Sequence, residues 1–312
     1  MVRVVADSLN TGTSGRFSTI LIENFPKCLL AELNTHRQLV RNTASSRAMP
    51  GAKMRDIVDN NTYVPTWTGN QPGMSGNESA NLDRQALEYE WFMHIEDALR
   101  THQALLDEGA HKQEANRLLD SFVRIPVLLS GTEWDNFLTL RTAESTTPDF
   151  RVIACEIRDA LAESVPKQVS AHKTFFNWHI PFESDIDPEL SLEDKLKVSV
   201  AKCARISYHN MKSVDIHKDL ELFDKLLESK HLSCFEHISM AAPVGRFGLA
   251  TYTYSHNSYE DCDDCDVEPL PNGLTDYFSY VTALSGVSDY VWTRQYRNWY
   301  TLRHAIEDGL YS

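Results

Sequence analysis

The sequence lacks any apolar run of the roughly 18–20 residues that a helix needs to cross a bilayer. Its first residues, MVRVVADSLNTG, lack the apolar stretch and the cleavage site of a signal peptide. A long basic run is also missing, and the formal net charge of -14 opposes binding to a nucleic acid backbone, which depends on Lys and Arg. We therefore expect a cytoplasmic protein that binds neither a membrane nor a nucleic acid. A small anion is still compatible with this charge, because a few arginines can make one pocket positive.

Cysteine is scarce, with 6 residues in a chain of 312. This usage indicates mostly reduced thiols and argues against a disulfide framework. Only Cys262 and Cys265 lie close together in sequence, with His256 nearby. They supply fewer ligands than a structural zinc site generally needs, so we expect no metal site.

Length and hydrophobic content allow one large core or two ordinary ones. We expect two lobes, at 1–165 and 191–312, joined by a turn-rich linker at 166–190. Strand and helix patterns alternate in both lobes, which predicts an α+β fold.

The segment RFSTILIEN alternates as a β-strand does, and both of its faces have enough apolar character to be covered. The two faces carry Phe17, Thr19 and Leu21 on one side and Ser18, Ile20 and Ile22 on the other. We therefore expect a strand packed on both sides.

Helical spacing predicts helices from about Leu82 to Gly109, from Pro148 through Leu161, and from a capping-box-like start at Ser191. Residues 48–80 are rich in Gly, Pro, Asn and Ser, and they predict a long loop that is suited to a lid or a substrate loop.

The C-terminal third predicts strands at Ile238 to Ala242 and in FGLATYTY (247–254). The tail VWTRQYRNWYTLRHA predicts an aromatic helix. Its Trp292, Tyr296 and Trp299 are expected to pack in the core.

Residues 35–47, THRQLVRNTASSR, hold the densest group of polar side chains, which we expect within about three helical turns and an adjoining loop. Guanidinium groups bind phosphate or carboxylate, and backbone N–H groups near Ser45 and Ser46 can complete an anion site. The alternative is a solvated helix end with ordinary salt bridges. The side chains that suggest the anion site are those of His36, Arg37, Arg41, Asn42, Ser45, Ser46 and Arg47.

This string resembles the Arg-His-Arg motif, with its spaced Ser, Asn, Glu, Ser and Arg, of the flavin-dependent thymidylate synthases. The positions that match are His36, Arg37, Asn42, Ser45 and Arg47. The positions that depart from the motif are Thr35, Val40 and Thr43, and Glu32 stands where the family has a substrate-contacting Gln.

Two further strings resemble the same family. EANR (114–117) and NFLTLR (136–141) are similar to its Glu-x-x-Arg and Asn-Phe-Leu-x-Leu-Arg motifs. ARISY (204–208) and HLSCFEH (231–237) are similar to a block that usually precedes the Arg-His-Arg motif. Here that block follows it by more than a hundred residues, so the chain resembles a permuted family member or a fusion of two related lobes.

The resemblance implies the fold of that family, a mixed sheet with long helices, and roles for the matching residues. The substrate-binding positions would be Glu32, Thr43, Ser45, Ser46, Arg47, Arg117 and Arg141. The flavin-binding positions would be His36, Arg37, Asn136, Ser207, His231, Ser233 and Glu236. Arg141 and Ser45 would take part in catalysis, Arg141 as a donor to the pyrimidine carbonyl and Ser45 as a ligand contact.

The implied activity is the FAD-dependent, reductive C5 methylation of dUMP to dTMP, with methylene-tetrahydrofolate and NADPH as co-substrates. None of the six cysteines lies inside the strongest motif, which fits a route without a catalytic cysteine. The family implies a homo-oligomer, a dimer or a tetramer. Open alternatives are hydroxymethyl transfer, action on dCMP or UMP, a flavin- or nucleotide-binding protein without turnover, and a zinc-linked interaction module.

Overall fold

The structure of the chain is a computed structural model, and it describes residues 1–169, 171–172, 175–176, 178–209, 215–241, 292–293 and 296–307. The predicted strand at 247–254 and the group formed by His256, Cys262 and Cys265 lie outside the described residues. Within those ranges, no helix is long and apolar enough to cross a membrane.

Five strands form the main sheet in the order β3-β4-β2-β1-β5. The pair β1/β5 is parallel and the other pairs are antiparallel, so the predicted α+β fold with a mixed sheet is confirmed. The strands are β1 (Val2–Asn10), β2 (Arg16–Pro26), β3 (Val40–Thr43), β4 (Arg124–Gly131) and β5 (Lys167–Val169).

Helices cover both faces of this sheet. On the first face and around it lie α1 (Leu30–Leu33), α2 (Gly51–Asn61), α3 (Arg84–Asp107), α4 (Lys112–Arg117), α5 (Asp135–Arg141) and α6 (Pro148–Glu163). Beyond β5 follow α7 (Leu192–Arg205), α8 (Ile216–Glu228) and the last described helix, α9 (Leu302–Glu307). Short 3-10 helices occupy Lys27–Leu29, Glu183–Asp185, Ile206–Tyr208 and Leu232–His237.

Seven short strands complete the described elements. They are β6 (Ala171–His172), β7 (Phe175–Phe176), β8 (Trp178–His179), β9 (Ser239–Ala241), β10 (Trp292–Thr293), β11 (Tyr296–Arg297) and β12 (Trp299–Thr301). A small sheet has the order β12-β9-β8, and β6/β7 and β10/β11 are two-stranded.

The two faces of β2 enter two different cores, as its alternation predicts. Ile20 and Ile22 pack with the helices of the first face. Leu21 and its cross-strand partner Leu128 pack with side chains from the C-terminal half of the chain, such as Trp178. Because the sheet is covered on both sides, the expectation for this strand is confirmed.

The stretch predicted as a linker, 166–190, contributes to both of these layers. Lys167–Val169 forms the edge strand β5 beside β1. The apolar side chains that it buries in the second core are Trp178, Ile180, Phe182 and Ile186. The proposed division into lobes at 1–165 and 191–312 stays a prediction.

Two local expectations are wrong. Residues 48–80 are not one continuous loop, because 51–61 form α2. Proline and glycine fall at its N-cap and first residue, where neither interrupts a helix, and Met54, Ile57 and Val58 make its buried stripe. Residues 35–47 are not helical, since Val40–Thr43 pair with β4 as β3.

The aromatic tail is also extended where a helix was expected. Trp299–Thr301 pairs with β9, and among the tail residues that the structure describes only 302–307 are helical. Aromatic side chains fit a pleated, buried surface, so packing against β9 overrides the helical pattern. The predicted burial of Tyr296 and Trp299 is confirmed, since both are fully buried.

Helices α7 and α8 are joined by a buried ion pair. The capping box at the start of α7 is confirmed, because the Asp194 N–H donates to Ser191 Oγ at 3.1 Å. At the other end, Arg205 Nε and Nη2 donate to one oxygen of Asp219 at 2.8 and 2.5 Å. Asp219 is fully buried, so this pair holds a carboxylate that water cannot solvate.

We expect Arg205→Met to lower the free energy of unfolding by about 3–5 kcal/mol, because Asp219 would stay buried without its guanidinium. Urea unfolding followed by circular dichroism measures the change. Arg158→Met is the matched control, since Arg158 pairs with Asp159 at the exposed surface. Equal unfolding midpoints for the two variants would contradict this interpretation.

Candidate active site

The Arg141 guanidinium, at the end of α5, is held by residues of the first motif. Its Nε donates to His36 Nε2 at 2.8 Å, and its Nη2 donates to the Glu32 carbonyl and to Thr35 Oγ1, both at 3.0 Å. Nη1 lies 3.5 Å from the Glu32 carboxylate, and the guanidinium carbon lies 5.0 Å from the centroid of the Phe150 ring. Nη1 therefore has one N–H group that can still donate to a ligand.

His36 acts as the acceptor that fixes this guanidinium. Its ring is buried in edge contact with Phe137, with centroids 5.0 Å apart. Burial lowers the pKa of His36, and the charges of Arg141 and Arg41 lower it further. The ring is thus neutral at pH 7, with its proton on Nδ1 and a lone pair on Nε2 for Arg141.

A buried amide fixes the turn that carries Arg47. Asn116 Nδ2 donates to the carbonyl oxygens of Ser46 and Met49 at 2.8 and 3.0 Å, and His102 Nε2 lies 3.0 Å from Asn116 Oδ1. Asn116 is fully buried. The EANR string is thereby joined to the first motif by hydrogen bonds to main-chain atoms.

The hydroxyl of Ser46 belongs to a small ionic cluster. It donates to Asp120 Oδ1 at 2.8 Å, and Lys27 contacts both the hydroxyl and, at 2.7 Å, the carboxylate. Ser46 thus has protein partners of its own, and its role toward a substrate stays a prediction.

Three motif arginines point to solvent. Within the described part of the chain, the side chains of Arg37, Arg47 and Arg117 form no hydrogen bond or ion pair, and all three residues are exposed. Arg47 and Arg117 each directly follow a member of the bonded pair Ser46 and Asn116, so they belong to two chain segments that are in contact. Guanidinium groups without a carboxylate partner are available to an anionic ligand.

The first and third motifs meet at the C-terminal end of α7. The Ser45 N–H donates to the Ser207 carbonyl at 3.0 Å. Lys53 Nζ donates to the carbonyls of Tyr208 and His209 at 3.1 and 2.7 Å. A cation at these carbonyls caps the negative end of the helix and its 3-10 extension. Motifs more than a hundred residues apart are therefore in contact within one chain.

The HLSCFEH string packs beside β3 and α7, but three of its predicted site residues make no bond to this contact. Glu236 forms an ion pair with Arg303, which also bonds Glu307 at 2.8 Å. Burial raises the pKa of Glu236, and Arg303 opposes that shift. His231 and Ser233 are exposed. Among the described residues, no hydrogen bond or ion pair joins these three positions to the first two motifs.

Two predicted positions make no side-chain contact that defines a role. Asn136 is exposed in the first turn of α5, and Thr43 is half-buried at the end of β3 opposite Val127. Their assignments to flavin and substrate stay predictions.

Sequence reasoning missed the residues that support the site. Lys27, Lys53 and Asp120 carry no signal in the sequence, because each acts on a partner far along the chain. The sequence also shows no partner for His102 or His179, whereas the structure places them beside Asn116 and Thr19. The residues found only in the structure are Lys27, Lys53, His102, Asn116, Asp120, Phe150 and Arg303.

Residues 17–167 match the model of a protein family described as thymidylate synthase complementing protein. The resemblance inferred from the motifs of this segment is therefore confirmed. The segment holds the first two motifs, whereas ARISY and HLSCFEH lie beyond it. No curated protein matches the chain.

Solved structures also resemble the chain. The UMP/dUMP methylase PolB from Streptomyces cacaoi, bound with 5-Br UMP, is 18% identical with a TM-score of 0.41, over 52% of this chain and 88% of that one. Two structures of the flavin dependent thymidylate synthase ThyX from Helicobacter pylori, each with FAD and dUMP, are 18% identical with a TM-score of 0.32, over 46% of this chain and 67% of theirs. The resemblance to the family rests on the match over residues 17–167.

We expect Arg141→Met to raise the pKa of His36, because the variant removes a neighbouring cation and the donor that needs the Nε2 lone pair. Proton NMR titration of the histidine Cε1–H signals measures the shift, and Arg158→Met serves as the control. The folded pKa lies below the unfolded value of about 6.5, so stability from neutral His36 is lost as pH falls below that value. An unchanged His36 titration in Arg141→Met would contradict the proposed contact.

Proposed function

We propose that the chain is a flavin-dependent methyltransferase of the thymidylate synthase type. The reaction is the reductive transfer of a one-carbon unit from methylene-tetrahydrofolate to C5 of dUMP, with NADPH as the reductant of FAD. The observation that carries the proposal is the position of Arg141: its Nε and Nη2 are held by His36, Thr35 and the Glu32 carbonyl, and its Nη1, 3.5 Å from the Glu32 carboxylate, keeps one N–H for a ligand.

This arrangement suits the chemical difficulty of the reaction. Uracil C5 is a poor nucleophile, and its activation places negative charge on the pyrimidine carbonyl. A donor that is already fixed stabilises such charge without the cost of reorganisation during the reaction. Arg141 is fixed by His36, Glu32 and Thr35, so we assign it the catalytic role of carbonyl-side donor.

Arg47 and Arg117 are proposed to bind the nucleotide phosphate. Both are exposed and form no hydrogen bond or ion pair among the described residues, although the charge of Arg117 acts on the Glu114 carboxylate. A phosphate that bridges them would form charge-assisted hydrogen bonds with two guanidinium groups. Thr43, Ser45 and Ser46, in the same segment, complete the proposed substrate side.

The proposed flavin side consists of groups from all three motifs. Arg37 and Asn136 are exposed donors, and His36 is a neutral ring within the site. These donors fit a cofactor with carbonyl and phosphate oxygens. The other members are Ser207, His231, Ser233 and Glu236. When bound, FAD supplies the hydride that the protein side chains cannot provide.

The two buried cysteines fit a route without a thiolate nucleophile. Burial raises the pKa of Cys203 well above the usual range and that of Cys234 to about 12. Both stay protonated at pH 7, and the thiolate is the reactive form. Within the described residues, the Ser45 hydroxyl has no histidine or carboxylate partner to activate it, which supports its role as a ligand contact.

The direct test is the visible absorption spectrum of the purified protein supplied with FAD, recorded anaerobically with NADPH, with and without dUMP. We expect a flavin spectrum that bleaches faster when dUMP is present, followed by formation of dTMP on addition of methylene-tetrahydrofolate. Product mass distinguishes methyl from hydroxymethyl transfer. Parallel reactions with UMP and dCMP show which sugar and which base the protein accepts. Failure to bind flavin would overturn the proposal.

We expect Arg117→Gln and Arg47→Gln each to weaken dUMP binding by about tenfold or more, since a hydrogen bond to a charged group contributes about 1.5–3 kcal/mol. Isothermal titration calorimetry measures the dissociation constant. Deoxyuridine is the matched ligand, because it lacks the phosphate and its binding should not change. Equal losses for both ligands would place these arginines away from the phosphate.

A further inference from the structure

A continuous chain of buried polar side chains crosses the main sheet on the face of the second core. Ser8 Oγ lies 2.9 Å from His179 Nδ1, and His179 Nε2 lies 2.7 Å from Thr19 Oγ1. Thr19 Oγ1 lies 2.6 Å from Ser130 Oγ, which lies 2.7 Å from His237 Nδ1. All five residues are at most 2% exposed. We refer to this chain of hydrogen bonds as the polar relay.

The polar relay connects the core of the sheet to the HLSCFEH string. Its hydroxyl groups lie on β1, β2 and β4, and Thr19 and Ser130 are cross-strand partners. At one end, Phe17 and Trp299 pack around His179, with centroids 4.4 and 6.1 Å from its ring. The other end is His237, next in sequence to Glu236, which is assigned to the flavin side.

Both histidines of the relay are neutral. Burial lowers the pKa of His237 to about 3 and the pKa of His179 well below its usual range. Each ring therefore carries one proton, and each hydroxyl donates once. When the hydroxyls of Thr19 and Ser130 both donate within the relay, two arrangements remain, and in each of them every hydrogen bond runs in the same direction.

The direction of the relay decides what His237 Nε2 presents. When the bonds run from Ser8 toward His237, Nδ1 accepts and Nε2 carries an N–H. When they run the other way, Nδ1 donates and Nε2 presents a lone pair. His237 can therefore donate or accept at Nε2 without gaining charge.

Nε2 of His237 has no hydrogen-bond partner among the residues that the structure describes, although it is fully buried. An unsatisfied buried polar atom costs about 1–3 kcal/mol. The polar side-chain atoms of the other four residues form hydrogen bonds within the relay. The unsatisfied atom thus lies at the end of the relay that is next in sequence to Glu236, a residue proposed for the flavin side.

We propose that His237 is a flavin-binding residue of the proposed enzyme, with Nε2 bonded to a polar atom on the edge of the isoalloxazine ring. Thr19, Ser130, His179 and Ser8 are positioning residues that set the direction of that bond. The direction of the relay fixes whether Nε2 donates to an acceptor on the flavin edge or accepts from a flavin N–H. This inference rests on the proposed function.

Two substitutions separate the ligand role of His237 from a structural one. His237→Asn places an amide where Nδ1 meets Ser130 and removes the group at Nε2, whereas His237→Gln extends an amide to the Nε2 position. We expect His237→Asn to weaken FAD binding by about tenfold or more, the equivalent of about 1.4 kcal/mol per tenfold. His237→Gln should retain most of the affinity. Flavin fluorescence titration measures both dissociation constants.

The relay is tested by Thr19→Val, which keeps the side-chain shape and removes the hydroxyl between the two histidines. With FAD bound, we expect a shift of the flavin absorption maximum and midpoint potential, and Thr19→Ser should restore both. A purely structural role would lower the thermal unfolding temperature of the variant while leaving the spectrum and potential of the bound flavin unchanged.

The outcomes distinguish this inference from the function on which it rests. FAD binding that is unchanged in His237→Asn would overturn the assignment of His237 alone. A loss of dUMP affinity without a loss of FAD affinity would also overturn it, since it would place Nε2 at the pyrimidine. No FAD binding by the unaltered protein would overturn the proposed function and this inference together.

Discussion

The structure depends on one constraint, that β2 must bury both of its faces. Both faces of this central strand carry apolar side chains, so neither face can be left in water. The chain must therefore supply two apolar layers to cover them. Ile20 and Ile22 require the first layer, and Phe17 and Leu21 require the second. Because both layers pack on the same strand, motifs carried by distant parts of the chain come into contact beside the sheet.

The arginines of the site fall into two groups with different physical roles. Arg141 is half-buried among acceptors that fix the orientation of its guanidinium. A fixed donor suits negative charge that develops on one substrate atom during the reaction. Arg37, Arg47 and Arg117 extend into solvent without carboxylate partners in the described structure, which suits an anion that arrives already charged. An acidic protein can combine both roles, because local placement of guanidinium groups outweighs a net charge of -14 spread over the surface.

Periodic patterns and the family motifs predicted much of this fold, but not the contacts that organise the site. The two-sided strand, the helices α3 and α6 and the cap at Ser191 follow from local spacing, and the structure agrees with each. The helical expectations for 35–47 and for the tail were wrong, because pairing with β4 and β9 is non-local and overrides spacing. Lys53 at the end of α7 and His237 beside Ser130 could not be predicted, since both contacts join segments about a hundred residues or more apart.

The Asn116 amide has a consequence for how the site responds to ionic strength. It holds the carbonyls of Ser46 and Met49 from a fully buried position and carries no charge. Dissolved ions screen the solvent-exposed heads of Arg47 and Arg117, but they do not reach these main-chain bonds. A rise in salt therefore competes with the arriving anion while the peptide frame beneath the arginines keeps its shape, so the site would regain its full affinity as soon as the salt is diluted.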